Sequence, residues 1–431
     1  MRLASLLLVL VAAGASLAAG APDAGLTAPL VASAGAPAPE EASFDLVDAG
    51  GAALDERLEA LDVPEGEGLR VPSRLLAPPL ASARPLAPAL DLLTFARKGQ
   101  SGQLEVELDG GVERLTLDAA LQDQLTGILR TYQTPYAAVV ALEPSTGRVL
   151  AMAEHSELDP AMRGLCTKAI YPAASIFKIV TASALLANGV EPGETECFHG
   201  GKRKITQALL ADTPRDLRCL SFGEALAKSV NVVFAKLAFK HLTPGLLSGA
   251  ARAFHFNAPL PFPVPTEPSL AAIPEDPFGM ASAGAGFGDV YLSPLHGAAI
   301  AAVAANGGLW RSPVLFEGAL VGPAERVMSE AAARTLTDML EQTVVSGTAR
   351  RIFHERGHAV AGAVGKTGSL ADKSPFRDYS WFVGFAPKSA PRIAVAAVIV
   401  NDPYWRIRAT WLGREAMRLY LAEKKAFATR P

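Results

Sequence analysis

A serine and a lysine three positions apart are the residues in this chain best suited to chemistry. Ser175 and Lys178 enclose the string Ser-Ile-Phe-Lys at the start of an apolar segment. That segment predicts a buried helix over residues 176–188, with Gly189 in the left-handed conformation that stops it. Residues three apart share a helix face, so the Lys178 amine can reach the Ser175 hydroxyl. With Ser175 in the first helical turn, backbone N–H groups would also stabilise an oxyanion there.

The Lys178 amine can take the serine proton only when it is neutral. The pKa of a free lysine is about 10.4, so a base at neutral pH needs a pKa roughly three lower, which corresponds to about 4 kcal/mol. Burial lowers the pKa of an amine, and a second cation nearby lowers it further. Lys366 is the candidate for that cation, and its charge could also attract a substrate carboxylate.

Two further strings supply polar groups of the kinds an acyl transfer needs. Ser229 and Asn231 lie in Ser-Val-Asn, where the hydroxyl could relay a proton to a leaving group and the amide could hold a substrate amide. Lys-Thr-Gly-Ser at residues 366–369 ends a small-residue run from residue 359 that predicts a strand. Glycines in this run let another chain approach the backbone, which suits an extended peptide docked on a strand edge.

Each string alone has an ordinary structural interpretation. Ser175, Ser229 and Asn231 could be helix caps, and Lys-Thr-Gly could be a turn. The three strings together, in this order and in these contexts, favour a serine acyl-transferase that uses neither histidine nor metal.

The three strings resemble the motifs of the penicillin-binding protein transpeptidase family. The resemblance covers roughly residues 112–425. It includes further segments outside the three strings, at residues 115–122, 137–153, 286–288, 293–295, 305–308, 346–349 and 381–387.

The resemblance implies an α/β (α+β) fold of the β-lactamase and transpeptidase kind. It is a mainly antiparallel five-stranded sheet flanked by helices, with a helical subdomain across the active-site cleft. Local patterns agree with this fold. They predict helices over residues 118–132 and 407–426, a hairpin of residues 136–142 and 148–153, and strands over residues 379–385 and 392–401.

The same resemblance implies a reaction and assigns roles to residues. The donor would be a peptidoglycan stem peptide ending in D-Ala-D-Ala, and β-lactams would acylate the same serine. The oxyanion hole would be the backbone N–H groups of Ser175 and Ser369. The implied catalytic residues are Ser175, Lys178 and Ser229, and the implied substrate-binding residues are Asn231, Lys366, Thr367, Gly368 and Ser369. No metal or other cofactor is expected.

Several alternatives stay open at this point. Within the family's chemistry they are a D,D-carboxypeptidase, a serine β-lactamase or a non-catalytic β-lactam sensor. The chain lacks a Glu-x-x-Leu-Asn string, which one major β-lactamase class uses to deacylate. A different class, a zinc metalloprotease, is suggested by His354 and His358 in His-Glu-x-x-His. Gly357 weakens a helix there, which favours a polar loop instead.

The remaining sequence predicts export and a simple domain order. Residues 1–21 are a predicted signal peptide or uncleaved anchor, residues 22–111 an Ala/Pro-rich linker with a short N-terminal segment, and residues 112–431 the transpeptidase domain. The predicted location is the periplasm or the outer face of the bacterial cytoplasmic membrane, where other cell-wall synthesis proteins are possible partners. About 90 residues before the domain are too few for the glycosyltransferase of larger family members. A net charge of −3 without a basic tract gives no reason to expect nucleic acid.

Export would place the three cysteines in an oxidising compartment. Cys197 and Cys219 resemble a paired-cysteine loop found before the Ser-x-Asn motif in some transpeptidases. We therefore expect a Cys197–Cys219 disulfide, with Cys166 free and buried. The alternative is three unpaired thiols.

Overall fold

A computed structural model describes residues 92–428, apart from residues 109, 202–203, 320–321 and 374. The predicted signal or anchor at residues 1–21 and most of the predicted linker at 22–111 lie outside the described residues. The predicted domain boundaries stay predictions. None of the helices within the described range is long and apolar enough to cross a membrane.

Helices and strands are interspersed along the described part of the chain. The helices are α1 Leu92–Phe95, α2 Ala119–Tyr132, α3 Lys178–Ala187, α4 Phe222–Lys228, α5 Asn231–His241, α6 Pro244–Ala253, α7 Pro277–Gly284, α8 Pro294–Ala305, α9 Glu330–Val345, α10 Arg350–Phe353 and α11 Ala409–Ala428. The strands are β1 Arg97–Lys98, β2 Leu104–Leu108, β3 Gly111–Arg114, β4 Tyr136–Leu142, β5 Val149–Ser156, β6 Tyr171–Pro172, β7 Thr195–Phe198, β8 Arg218–Ser221, β9 Leu270–Ala271, β10 Val290–Leu292, β11 Leu309–Trp310, β12 Glu325–Arg326, β13 Val364–Lys373, β14 Phe376–Ala386 and β15 Ile393–Asn401.

A five-stranded antiparallel sheet in the order β13-β14-β15-β4-β5 forms the centre of the fold. Its inner strands β15 and β4 are nearly continuous runs of alanine, valine, leucine and isoleucine, buried along their length. Such runs are buried on both faces because helices cover both sides of the sheet. The predicted fold class, a five-stranded antiparallel sheet flanked by helices, is confirmed.

The two faces of the sheet belong to two separate hydrophobic cores. Trp381 and Val383 of β14 contribute to the core that also holds α3, α5 and α8. Phe382, between them in sequence, contributes to the core on the other face with α2 and α11. This alternation follows from the two-residue period of side chains along a strand. The helices of the first core form the side of the molecule that carries the candidate site.

Most predicted elements are found within a few residues of their expected ends. The exception is the strand predicted over residues 359–369, since the prediction starts before the observed strand does. In the structure β13 starts at Val364, and residues 359–363 form a turn. Gly362 adopts a φ of 63° there, and its carbonyl accepts a hydrogen bond from Lys388 N at 2.7 Å. A left-handed residue interrupts an extended strand, so the small-residue pattern misled the prediction.

Candidate active site

Ser175 lies in a short 3-10 turn, Ala174–Ile176, that precedes α3. The expectation that Ser175 occupies the first turn of the α-helix is therefore wrong, since the helix itself begins at Lys178. The three-residue spacing still brings the two side chains together, and Lys178 Nζ lies 2.7 Å from Ser175 Oγ. At the other end, Gly189 has the predicted left-handed conformation, with a φ of 82°.

Lys178 has the surroundings of a neutral amine. Its side chain is fully buried, and Nζ donates hydrogen bonds to Ser175 Oγ and to Asn231 Oδ1, the latter at 2.6 Å. Burial holds the pKa of Lys178 well below its ordinary value, and the charge of Lys366 lowers this pKa further. Both causes are those expected from the sequence. A lowered pKa favours the neutral amine, and a neutral amine 2.7 Å from a serine hydroxyl can act as its base.

Lys366 forms a second lysine–serine pair beside the first. Its Nζ donates to Ser229 Oγ and to Thr367 O, each at 2.8 Å. Lys366 is also fully buried, and burial lowers its pKa to about 7. Ser229 caps the C-terminus of α4 with a left-handed φ of 58°, and Asn231 follows as the first residue of α5.

The Lys-Thr-Gly-Ser string occupies the middle of β13, which is an edge strand of the sheet. A Cβ at Gly368 would lie 3.2 Å from Ile176 Cγ1, so glycine lets the strand lie against the nucleophile turn. The Thr367 hydroxyl is 2.5 Å from the hydroxyl of Thr348, a residue that the sequence reasoning placed in a matching segment without a role. Ser369 is exposed on the strand.

All eight predicted site residues therefore lie on three elements that meet at one place. These elements are the nucleophile turn with the start of α3, the α4–α5 junction and the edge strand β13. What each residue does in catalysis is taken up below as a proposal.

The predicted disulfide is confirmed, since Cys197 and Cys219 are bonded across the β7–β8 hairpin, and Cys166 is a free, buried thiol. β8 continues directly into α4, where the Ser221 hydroxyl caps the helix and Glu224 completes a capping box. The cross-linked hairpin thus leads within one short helix to the α4–α5 junction.

A buried lysine ties this hairpin to α5 as well. Lys236 Nζ donates to Cys197 O at 2.7 Å and lies 2.8 Å from Asp212 and 3.0 Å from Asp216. Its side chain is fully buried, so the two carboxylates compensate a charge removed from water. Sequence reasoning missed Lys236 because it lies inside an apolar stretch, and its partners Asp216 and Cys197 are 20 and 39 residues upstream.

The zinc alternative loses its geometric basis in the structure. Helix α10 ends at Phe353, and Gly357 has a φ of 78°, so His354 and His358 do not lie on one helical face. Glu355 is paired with the buried Arg414 instead of facing a metal. Over the residues that the structure describes, no cluster of three metal-ligating side chains is found.

Comparison with known protein families agrees with this geometry. Residues 137–412 match the model of the penicillin binding protein transpeptidase domain, and the matched segment contains every predicted site residue. The chain belongs to the penicillin-binding protein transpeptidase family. The resemblance expected from the sequence is confirmed.

Proteins similar to this family member include a named transpeptidase and two transpeptidase structures. Peptidoglycan D,D-transpeptidase PbpA of Mycobacterium tuberculosis is 30% identical over 359 residues, 71% of this chain and 68% of that protein. The imipenem acyl-enzyme complex of penicillin-binding protein A from M. tuberculosis has a TM-score of 0.58 at 25% identity, covering 71% of this chain and 79% of that chain. The D,D-transpeptidase domain of a peptidoglycan glycosyltransferase from Eggerthella lenta has a TM-score of 0.60 at 22% identity, covering 78% of this chain and 91% of that chain. The last comparison shows the fold.

Proposed function

We propose that this protein is a peptidoglycan D,D-transpeptidase that works through an acyl-enzyme on Ser175. The observation that carries the proposal is the 2.7 Å contact between Ser175 Oγ and the fully buried Lys178 amine. A serine hydroxyl is a weak nucleophile until a base takes its proton, and the lowered pKa of Lys178 favours the neutral form that can take it.

Acylation follows from this arrangement. Ser175 Oγ attacks the carbonyl of the penultimate D-Ala while its proton passes to Lys178, which gives a tetrahedral oxyanion. The backbone N–H groups of Ser175 and Ser369 stabilise that oxyanion. When the peptide C–N bond breaks, Ser229 hands its proton to the departing D-Ala nitrogen and regains one from Lys178, which is thereby neutral again for the second half of the reaction. Lys366 holds the Ser229 hydroxyl at 2.8 Å.

The second half of the reaction resolves the ester. An amine of a neighbouring stem peptide attacks the acyl carbon, the Ser175 Oγ–C bond breaks, and the amine proton returns to the serine through Lys178. The product is a cross-link between two stems. Water in place of the amine would give a trimmed stem, so a cleft that admits an amine and excludes water favours transpeptidation.

Substrate binding is assigned to the strand and to Asn231. The terminal carboxylate of the donor meets the Lys366 charge and the hydroxyls of Thr367 and Ser369. Gly368 lets β13 lie against the nucleophile turn, and the edge of β13 offers main-chain hydrogen bonds to an extended peptide. The Asn231 amide, whose Oδ1 accepts from Lys178, offers its NH₂ group to a substrate carbonyl.

The same attack on a β-lactam carbonyl would leave a covalent adduct on Ser175. The M. tuberculosis relative is described as an imipenem acyl-enzyme complex, which supports this reading of the site. We further propose that the protein works outside the cytoplasm, in the periplasm or on the outer face of the membrane. Peptidoglycan as a substrate and the Cys197–Cys219 disulfide support that location.

Labelling with a fluorescent penicillin tests the proposal. The wild type should be labelled stoichiometrically and release the label slowly, while Ser175→Ala should not be labelled. Ser183→Ala is the matched control, because Ser183 is buried on α3 and bonds to Met328 instead of a site residue. Labelling of Ser175→Ala would overturn the assignment, and rapid turnover would replace it with a β-lactamase.

A synthetic D-Ala-D-Ala donor separates the remaining alternatives. With a D-amino-acid acceptor present, mass spectrometry should detect the exchanged product, in an amount that grows with acceptor concentration. Hydrolysed donor alone, across the whole range of acceptor concentrations, would make the protein a D,D-carboxypeptidase.

A further inference from the structure

We propose that Gly286 is a positioning residue whose missing side chain keeps the Ser175 N–H in place for the oxyanion. This inference rests on the proposed acyl-enzyme chemistry. Gly286 is buried in the short connection between α7 and β10, and the mechanism above gives it no role. The argument starts from the backbone of the nucleophile turn.

The nucleophile turn has an uncommon backbone. Ala174, directly before Ser175, has a φ of 47°, which places a residue with a Cβ in the left-handed region. A residue other than glycine, asparagine or aspartate stays there only when its surroundings hold it. The position of Ser175 N therefore depends on what contacts this turn.

Gly286 contacts the turn more closely than any residue with a side chain could. A Cβ at position 286 would overlap the carbonyl oxygen of Ala174 and would lie 2.7 Å from Ala174 C and 3.1 Å from Ser175 N. These are backbone atoms, which cannot rotate aside as a flexible side chain can. A side chain at 286 would therefore have to displace the turn.

The segment that carries Gly286 is itself held in place. Thr181, on the nucleophile helix, donates its hydroxyl to Gly284 O at 2.8 Å. On the other side of Gly286, Val290 O accepts from Ala173 N at 2.8 Å. The connection is thus bonded both to α3 and to the residue before the turn, so neither partner can move away freely.

A displaced turn would affect chemistry more than binding. Oxyanion donors act at about 2.7–3.1 Å from the developing charge, and misplacement by about 1 Å can cost about 100-fold in rate. In the proposed function the donor carboxylate and peptide bind instead to Lys366, Thr367 and the β13 edge, whereas the atoms nearest a Cβ at Gly286 belong to Ala174 and Ser175. We therefore expect a Gly286 variant to bind penicillin and to acylate slowly.

Gly288 provides a matched control two residues away. Gly288 has a φ of 79° against 95° for Gly286, so alanine is strained at both positions. A Cβ at Gly288 would meet nothing within 4 Å, whereas one at Gly286 meets the nucleophile turn. Differences between Gly286→Ala and Gly288→Ala therefore report the contact with the turn.

Stopped-flow acylation of the full chain by a fluorescent penicillin gives the acylation rate constant and the dissociation constant separately. Gly286→Ala should acylate at least about 10-fold more slowly than Gly288→Ala, with dissociation constants within about twofold. Infrared spectra of the acyl-enzyme made with a ¹³C-labelled β-lactam carbonyl give a second readout. Oxyanion donors lower the carbonyl stretching frequency, so Gly286→Ala should show a higher frequency than both Gly288→Ala and wild type.

Equal acylation rates and carbonyl frequencies in the two glycine variants would overturn the inference and leave the proposed function intact. A wild type that no penicillin labels would overturn the proposed function instead. If Gly286→Ala does not fold, Thr181→Val tests the same idea by removing the bond to Gly284. It should slow acylation and raise the carbonyl frequency, and Thr181→Ser, which keeps the hydroxyl, should restore both. Unchanged values in Thr181→Val would count against the inference.

Discussion

At the scale of single residues, the site depends on two buried lysines with different roles. Lys178 must lose its proton to act as a base, whereas Lys366 must keep its proton to attract a carboxylate. Burial lowers the pKa of both, and the charge of Lys366 lowers the pKa of Lys178 in addition. Acylation therefore needs a neutral Lys178 and a charged Lys366, and each requirement sets one limb of the pH profile.

The pKa of Lys366 predicts how acylation changes at high pH. Because the pKa of Lys366 is about 7, the free enzyme loses the Lys366 charge above that pH, and the second-order acylation rate for penicillin should fall. A penicillin methyl ester has no carboxylate and should lack this decline. The measurement is the acylation rate from pH 5 to 9 with each ligand. A parallel decline for acid and ester would show that Lys366 does not act through the ligand carboxylate.

A negative charge placed beside Lys178 should shift the part of the pH–acylation profile in which the rate rises as Lys178 loses its proton. In Asn231→Asp, a carboxylate replaces the Oδ1 atom that lies 2.6 Å from Lys178 Nζ, so the pKa of Lys178 rises. Acylation at pH 7 should fall and recover partly at higher pH. Asn231→Ala removes the same bond without adding charge. It should slow acylation without moving the pH midpoint at which the rate rises. An Asn231→Asp profile with the wild-type midpoint would contradict the assignment of Lys178 as the base.

At the scale of elements, the α4–α5 junction is held by a hairpin outside the site. The Cys197–Cys219 bond cross-links that hairpin, β8 leads into α4, and Lys236 joins Cys197 O to α5 at 2.7 Å. Helix α4, which ends at the junction, and helix α5, which begins there, are thus both fixed to one cross-linked hairpin. Ser229 and Asn231 owe their positions to these contacts.

Removing the cross-link should therefore cost stability and, to a smaller degree, activity. The two cysteines are 22 residues apart, and closing a loop of that length is worth about 3 kcal/mol in the chain-entropy account. The double variant Cys197→Ser/Cys219→Ser should lose about that much unfolding free energy in urea titrations and should acylate more slowly. The reduced wild type is the control and should behave like the variant. Equal unfolding free energies for oxidised and reduced wild type would refute the prediction.

The same elements show where sequence reasoning succeeded and where it stopped. Helix α2 was predicted because its apolar residues recur at helical spacing, which is a local signal, and the structure adds Asp118 as its N-cap. Ser175 and Lys178 were paired correctly because a spacing of three survives the change from α-helix to 3-10 turn. The Lys236 cluster and the Gly286 contact were not predicted, since each joins segments far apart in sequence. Local patterns do not encode which distant backbone a glycine will meet.

At the scale of the whole molecule, two hydrophobic cores on opposite faces of one sheet support the site. Both cores consist of residues between Leu104 and Tyr420. The core on the site face holds the nucleophile turn, and the other holds α11 against the back of the sheet. Strand β2, with Leu104 and Val106, already belongs to the first core, although it precedes the domain boundary predicted at residue 112.

A fragment of residues 92–431 should therefore fold and bind penicillin without the preceding segment. It contains both cores, the disulfide and all three site elements, so its unfolding should be cooperative. Its acylation rate should match that of a chain beginning at residue 22. A second fragment that begins at residue 112 lacks β2 and should be less stable. Equal thermal stability of the two fragments would show that β2 contributes nothing to the core.

The edge position of β13 has a consequence for the solution behaviour of the protein. A strand edge that is left open for a peptide also exposes unpaired backbone groups to any other extended chain, including a second copy of the protein. The exposed residues along this edge include Ser369 and Lys373, whose polar and charged side chains disfavour such pairing. Recognition of a substrate through its backbone thus brings an aggregation hazard, and a ligand seated on the edge also shields the protein from self-association.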